Sequence, residues 1–238
     1  MGKERVSHRV LCGLVSFAAG ALLAVTVRHI IPETLELIGP LPGVLSLTAG
    51  TLVFAAVGKY VYFLCPACAA SATEHDGGFL RLGMLMMIAM GIHSTIDGLA
   101  ISAGSEAAHG VAGAVNSVGI LILFAVSYHK IPEGMALVSV ARLGGYGRVK
   151  ALCTALIIEL TTALGAFIGM IFLNGVNRLW LGITLGVVAG SFLYTVGFAL
   201  LKEMYAHERA SILVYTLCGF LSILGLGYAL TTMGLIAH

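Results

Sequence analysis

Apolar runs about 20 residues long recur along the chain, beginning with "VLCGLVSFAAGALLAVTVRHII" at 10–31. In helical form such a run crosses ~30 Å of hydrocarbon. With no water to satisfy backbone N–H and C=O groups, the run has to be a helix. Seven such runs are read, at about 10–31, 42–64, 80–104, 114–140, 150–174, 179–201 and 210–235. The 238 residues are 59% hydrophobic and 10% charged, where a soluble domain carries roughly a quarter charged residues. Mean hydropathy is +1.01. The expected fold class is an all-α polytopic membrane protein, one transmembrane domain over 1–238 with about seven helices.

The placement of charge orients the chain. Seven spans put the N-terminus and every second loop on one side, with Lys3, Arg5, Arg9, Lys59, Arg81, Arg142, Arg148, Lys150, Lys202 and Arg209. The other side carries only Arg28 and Arg178. Lys and Arg in short loops mark the cytoplasmic face, which places the N-terminus in the cytoplasm and the C-terminus outside. The start "MGKERVSHR" leads into a run as long as the other spans, with no small-residue cleavage site. It also has Val6 where a myristoylation signal needs Ser or Thr. Of the five cysteines, Cys12, Cys153 and Cys218 are isolated within spans and read as small apolar residues. Cys65 and Cys68, at the cytoplasmic end of the second span, are expected to be reduced.

A weak internal repeat relates "AAGALLAVTVRHIIPE" (18–33) to "VAGSFLYTVGFALLKE" (188–203) at a constant offset of 170. The first span then runs outward and the sixth inward, which is the sense of an inverted repeat, a common plan for carriers that bind substrate near the midplane. The third and fourth spans hold the two polar motifs, "HSTIDG" at 93–98 and "HKIPEG" at 129–134. Residues i and i+4 share a helix face, so His93 projects with Asp97 and His129 with Glu133. Ionisable groups at membrane depth are costly and face the bundle interior, where they pair or bind ions. If the two helices face each other, two imidazoles and two carboxylates converge as a first shell for a divalent transition metal. Pro132 removes a backbone N–H from the second motif, so the helix is expected to kink there. One such pair alone could be a hydrogen-bonded clasp between helices. Two in consecutive spans favour metal.

The paired motifs, with "GKYVYFLCPACAAS" (58–71) and the "FAAGALL…HIIPE" span (17–33), resemble the ZIP family of divalent-metal transporters. The resemblance covers most of the chain, and His-Lys-Ile-Pro-Glu-Gly is its most specific part. It implies an eight-helix, elevator-type carrier moving zinc, iron or related ions, cadmium and manganese among them, into the cytoplasm. Carried onto this chain, the primary site is His93, Asp97, His129 and Glu133. Two features depart from the family. The seven spans match from its second helix onward, leaving the first half of the repeat with two spans. Many members also carry a carboxylate where this chain has Lys130, which with Ser94 and Glu159 corresponds to a second metal position. An ammonium there would repel a second ion. It could instead pair with Glu133 or Glu159, so a mononuclear site is expected.

Other polar groups lie along the route. His29 and Glu33, and Glu106 with His109, sit at outer ends of spans and are candidates for collecting metal, against the plainer reading of interfacial residues. Cys65, Cys68, His75 and Asp76 fall within twelve residues on the cytoplasmic side and are candidates for a release site, since thiolates with an imidazole suit zinc. Met84, Met86, Met87 and Met90 precede the first motif and read as packing or lining. No GxxxxGK[ST] loop for ATP is present. The expected function is therefore ion-gradient or facilitated transport of divalent metal, zinc foremost, by a protein of the plasma (inner) membrane that is not an enzyme. No resident cofactor is expected. The partners are the metal ions and the lipid bilayer, with no nucleic acid and a homodimer left open. The alternative is an intramembrane zinc-dependent hydrolase with Glu133 as its base.

Overall fold

The computed structural model describes residues 8–60, 79–107, 117–143, 145–206 and 209–233. Among these residues every regular element is helical and no strand occurs. The helices are α1 (His8–Val25), α2 (Ile31–Ile38), α3 (Pro40–Tyr60), α4 (Phe79–Ala107), α5 (Ser117–Leu143), α6 (Arg148–Glu159), α7 (Thr161–Leu173), α8 (Arg178–Ala206) and α9 (Arg209–Thr232). A π-helical turn, Thr26–Ile30, joins α1 to α2, and only Leu160 separates α6 from α7. Among the described residues, four stretches are long and apolar enough to cross a membrane: Gly13–Ile38, Arg148–Leu173, Arg178–Gly197 and Ala210–Thr232. Pro40–Ala56, within α3, is a further apolar stretch, and α4 and α5 carry the ionisable motifs.

Two boundaries differ from the periodicity, for local reasons. The first span runs on to Ile38 because Pro32 does not end it. Proline has no N–H and its ring crowds the carbonyl four residues back. The π turn absorbs that defect, with Ile31 N–H bonding Thr26 O one residue further back than an α-helix would. The rod stops at Gly39, whose φ of +79° only glycine adopts without strain. The fifth span is interrupted at Leu160, where the Thr161 hydroxyl donates to the carbonyls of Ile158 (2.7 Å) and Gly91 (2.9 Å). Around Pro132, by contrast, α5 stays one helix from Ser117 to Leu143.

Between apolar helices in lipid there is no hydrophobic drive, so close backbone approach has to hold them. Three helix pairs achieve this with reciprocal glycines. A methyl on Gly20 (α1) would lie 1.9 Å from Thr216 O (α9), and one on Gly219 (α9) 1.8 Å from Phe17 O (α1). Gly50 (α3) and Gly190 (α8) face Val187 O and Leu47 O at 2.1 and 2.0 Å. Gly98 (α4) and Gly165 (α7) face Thr162 O and Thr95 O, both at 1.9 Å. Hydroxyls reinforce two pairs: Thr51 donates to Gly190 O at 3.2 Å and Ser102 to Ala166 O at 2.6 Å. The central core is mostly small and branched, with Ala21, Ala24, Leu121, Ala125 and Leu185 buried around the large ring of Phe192. Large apolar side chains such as Phe167, Phe172, Leu213 and Leu217 point outward, as lipid-facing surfaces do.

Candidate metal centre

The one-turn spacing read from the sequence sets the local geometry. On α4, His93 and Asp97 face inward together; on α5, His129 and Glu133 do the same, and the two helices pack against each other. All four side chains are buried, at 5%, 0%, 8% and 3% exposure respectively. Each offers a ligand atom, and these atoms all lie within 4.8 Å of one another. His129 Nε2 is 3.2 Å from Asp97 Oδ2 and 3.6 Å from Glu133 Oε2. His93 Nε2 is 3.8 Å from Asp97 Oδ2 and 3.7 Å from Glu133 Oε1. The imidazole centroids are 5.5 Å apart, and the edge of Phe54 from α3 covers His93.

The donor chemistry fits a divalent transition metal. Around a tetrahedral ion with ~2.0–2.2 Å bonds, ligand atoms lie ~3.3–3.6 Å apart, so from separations of up to 4.8 Å the cluster needs to close by no more than about 1.5 Å. Asp97 Oδ1, His93 Nδ1 and His129 Nδ1 are buried without hydrogen-bond partners. Leaving such groups unmet costs about 1–3 kcal/mol each, more when charged, and a cation among the four side chains offsets that for the carboxylate.

Lys130 adds a positive charge at the edge. Its Nζ is 2.8 Å from Asp97 Oδ2, 2.6 Å from Glu133 Oε2 and 3.3 Å from Glu159 Oε2, and it donates to Ser94 Oγ at 2.7 Å. Ser94 is wholly buried and Glu159 is the last residue of α6. The structure therefore brings Ser94, Lys130 and Glu159 to the margin of the cluster.

The other sequence candidates stand apart from it. His29 lies on the π turn and Glu33 in the first turn of α2, both partly exposed, and neither joins a metal-binding group among the described residues. Glu106 accepts a hydrogen bond from Gly175 N–H at 3.1 Å, tying the end of α4 to the turn after α7. His109, Cys65, Cys68, His75 and Asp76 lie outside the described residues. Met90 is buried with Leu137 and Ala155, and Met87 packs on that group, so these methionines fill space. Phe54, and Thr161 with its bond to the Gly91 carbonyl, were not singled out from the sequence; an aromatic and a threonine in apolar runs carry no distinguishing signal.

Comparison with known proteins points the same way. The family model described as ZIP Zinc transporter matches residues 65–227, which includes the whole four-residue cluster. Zinc transporter ZIP10 of Homo sapiens is 31% identical over 140 residues, covering 58% of this chain and 16% of that protein. Zinc transporter ZIP10 of Mus musculus aligns with the same identity and coverage. The chain thus spans only about a sixth of the length of these relatives. With a family model matched over well more than half its length, on apolar helices suited to a bilayer, this chain is an integral membrane protein that belongs to the ZIP family, a family of transporters rather than enzymes.

Proposed function

We propose that this protein carries divalent transition-metal ions, zinc foremost, across a membrane into the cytoplasm, with His93, Asp97, His129 and Glu133 as the transport site. The observation that carries this is the convergence of four buried ligand atoms from two facing helices within 4.8 Å. Two imidazoles among oxygen donors favour zinc, ferrous iron, cobalt, cadmium and, more weakly, manganese over magnesium and calcium, which take all-oxygen shells. The relatives named zinc transporters support zinc as the first ion to test. The charge asymmetry supports a cytoplasmic N-terminus, and the plasma (inner) membrane is the simplest location for such a carrier.

The glycine contacts support an elevator-like alternating access. Among the described residues, every approach that would bring a glycine Cβ within 3.0 Å of a neighbour falls inside one of two groups. One group is α1–α2, α3, α8 and α9; the other is α4, α5, α6 and α7, which holds the cluster. No glycine approach that close crosses between the groups, which meet through side chains such as the edge-on pair Phe17 and Tyr128 at 5.6 Å. Backbone-to-backbone contacts resist sliding more than side-chain contacts do, so the second group can shift as a unit against the first. The offset-170 repeat accords with this division. If α1–α2 corresponds to α8, then α3 corresponds to α9, and the α1–α9 pair maps onto the α8–α3 pair; both pairs are present.

The hydrolase alternative is not retained. It needs an open coordination position and a free base, whereas Glu133 is itself a ligand and is held by Lys130 at 2.6 Å. The test is delivery. Proteoliposomes with an internal zinc indicator should show a saturable rise above protein-free vesicles. Zinc bound by the protein yet never delivered to the lumen would refute the carrier.

A further inference from the structure

One charged group touches the cluster more closely than its members touch one another. Lys130 Nζ approaches Glu133 Oε2 at 2.6 Å and Asp97 Oδ2 at 2.8 Å, while the nearest imidazole contact to either oxygen is 3.2 Å. Both oxygens are among those available to a metal. A metal bonded to them at ~2.0–2.2 Å would lie within about 5 Å of an ammonium left in its present place. Both cations would then compete for the same electron pairs, in a site too dry to screen them.

Resting on the carrier reading above, we propose that Lys130 is a resident cation which the incoming metal displaces. Its ammonium neutralises Asp97 and Glu133 when the metal is away, and withdraws onto Glu159 and Ser94 when the metal binds. The receiving groups are already in place. Ser94 Oγ accepts from Nζ at 2.7 Å, and Glu159 Oε2 stands 3.3 Å off. Both Glu159 oxygens are buried, and the ammonium that stands 3.3 Å off can approach Oε2 more closely. The lysine side chain has freely rotating carbons and a point charge, so the short transfer needs only rotamer changes.

Two consequences follow from charge and space. The ammonium fills the position between Ser94, Glu133 and Glu159 that a second ion would take, so the centre holds one metal. Competition from the tethered cation also weakens binding, which suits a carrier that must let its ion go. Lys130 thereby acts as a determinant of affinity and stoichiometry rather than as a ligand.

The test is zinc binding by the purified full chain, by calorimetry and elemental analysis. Zinc retained by the His93→Ala, His129→Ala double variant is subtracted, which removes any contribution from Cys65 and Cys68. The wild type is expected to bind one zinc at the cluster. Lys130→Gln should still bind one, about tenfold or more tighter, because a fixed like charge is gone. Lys130→Arg keeps the cation and should bind no tighter than wild type. Lys130→Asp should bind two. Glu159→Gln, which keeps the size and shape of the side chain, should bind about tenfold or more weaker, because the displaced ammonium has lost its charged acceptor. A Lys130→Gln variant with wild-type helicity that binds zinc no tighter would overturn the proposal, as would two zinc ions in the wild type. If Lys130→Gln does not fold, an unchanged affinity in Glu159→Gln overturns it instead. Wild-type binding that depends on His129 while the Lys130 results fail sinks only this inference. Absence of any histidine-dependent zinc sinks the carrier reading with it.

Discussion

Adding one methyl group at Gly98 separates two roles of the same contact. The new Cβ would lie 1.9 Å from Thr162 O, where ordinary contact begins at 3.4 Å. The obstacle is backbone on both sides, so no side chain can swing away, and α4 and α7 have to part by about 1.5 Å locally. Overpacking of this kind costs about 1–3 kcal/mol. Losing the close Cα–H···O contacts adds about 0.5–1 kcal/mol each. A total of roughly 2–4 kcal/mol corresponds to a fall on the order of 5–15 °C in unfolding midpoint. Gly98 also directly follows Asp97, so a shift of α4 adds to the distance this ligand has to close around a metal, and zinc binding should weaken by about tenfold or more. Gly165→Ala, which meets Thr95 O at 1.9 Å, should behave alike. Gly50→Ala and Gly190→Ala meet backbone at 2.1 and 2.0 Å on the α3–α8 pair, outside the group that holds the cluster. They should lose similar stability yet keep zinc affinity within about twofold. Thermal unfolding in detergent and zinc calorimetry on the four variants decide the matter. Four variants as stable as wild type would refute the backbone contacts, and equal loss of zinc affinity in all four would refute the two-group division.

Three further outcomes are expected. A roughly hundredfold excess of magnesium or calcium should leave zinc uptake nearly unchanged, because both ions take all-oxygen shells; strong competition would contradict an imidazole-containing site. A tag at the N-terminus should be reached only in permeabilised cells and one at the C-terminus in intact cells; the reverse would contradict the charge-based orientation. Glu106→Gln should cost about 1 kcal/mol of stability through its bond to Gly175 N–H and leave uptake unchanged. Lost uptake at full stability would make Glu106 part of the metal route.

The parts of this protein legible in its sequence are those governed by short-range periodicity. Run length against bilayer thickness announced the all-helical class. The i,i+4 spacing placed His93 beside Asp97 and His129 beside Glu133, and chemistry alone suggested that Lys130 would seek Glu133 or Glu159. The structure adds Asp97 to its partners, since which carboxylate of α4 comes within reach depends on how two helices pack. Pairing between distant helices was not legible. Gly20, Gly50 and Gly98 look alike in apolar runs, and only the fold supplies Gly219, Gly190 and Gly165 as their counterparts. The π turn before Pro32 and the interruption at Leu160 were hidden for a different reason. A proline or a threonine pair is compatible with a stop, a kink or a tolerated defect, and neighbouring helices decide which.

The most direct measurement of the central claim is the initial rate of zinc uptake into proteoliposomes, with wild type and His129→Ala reconstituted side by side at equal density. If the four residues form the transport site, wild-type uptake saturates with zinc, and the variant, one ligand short, falls to the rate of protein-free vesicles while keeping its helicity. A folded His129→Ala protein that takes up zinc as fast as wild type would put the route elsewhere.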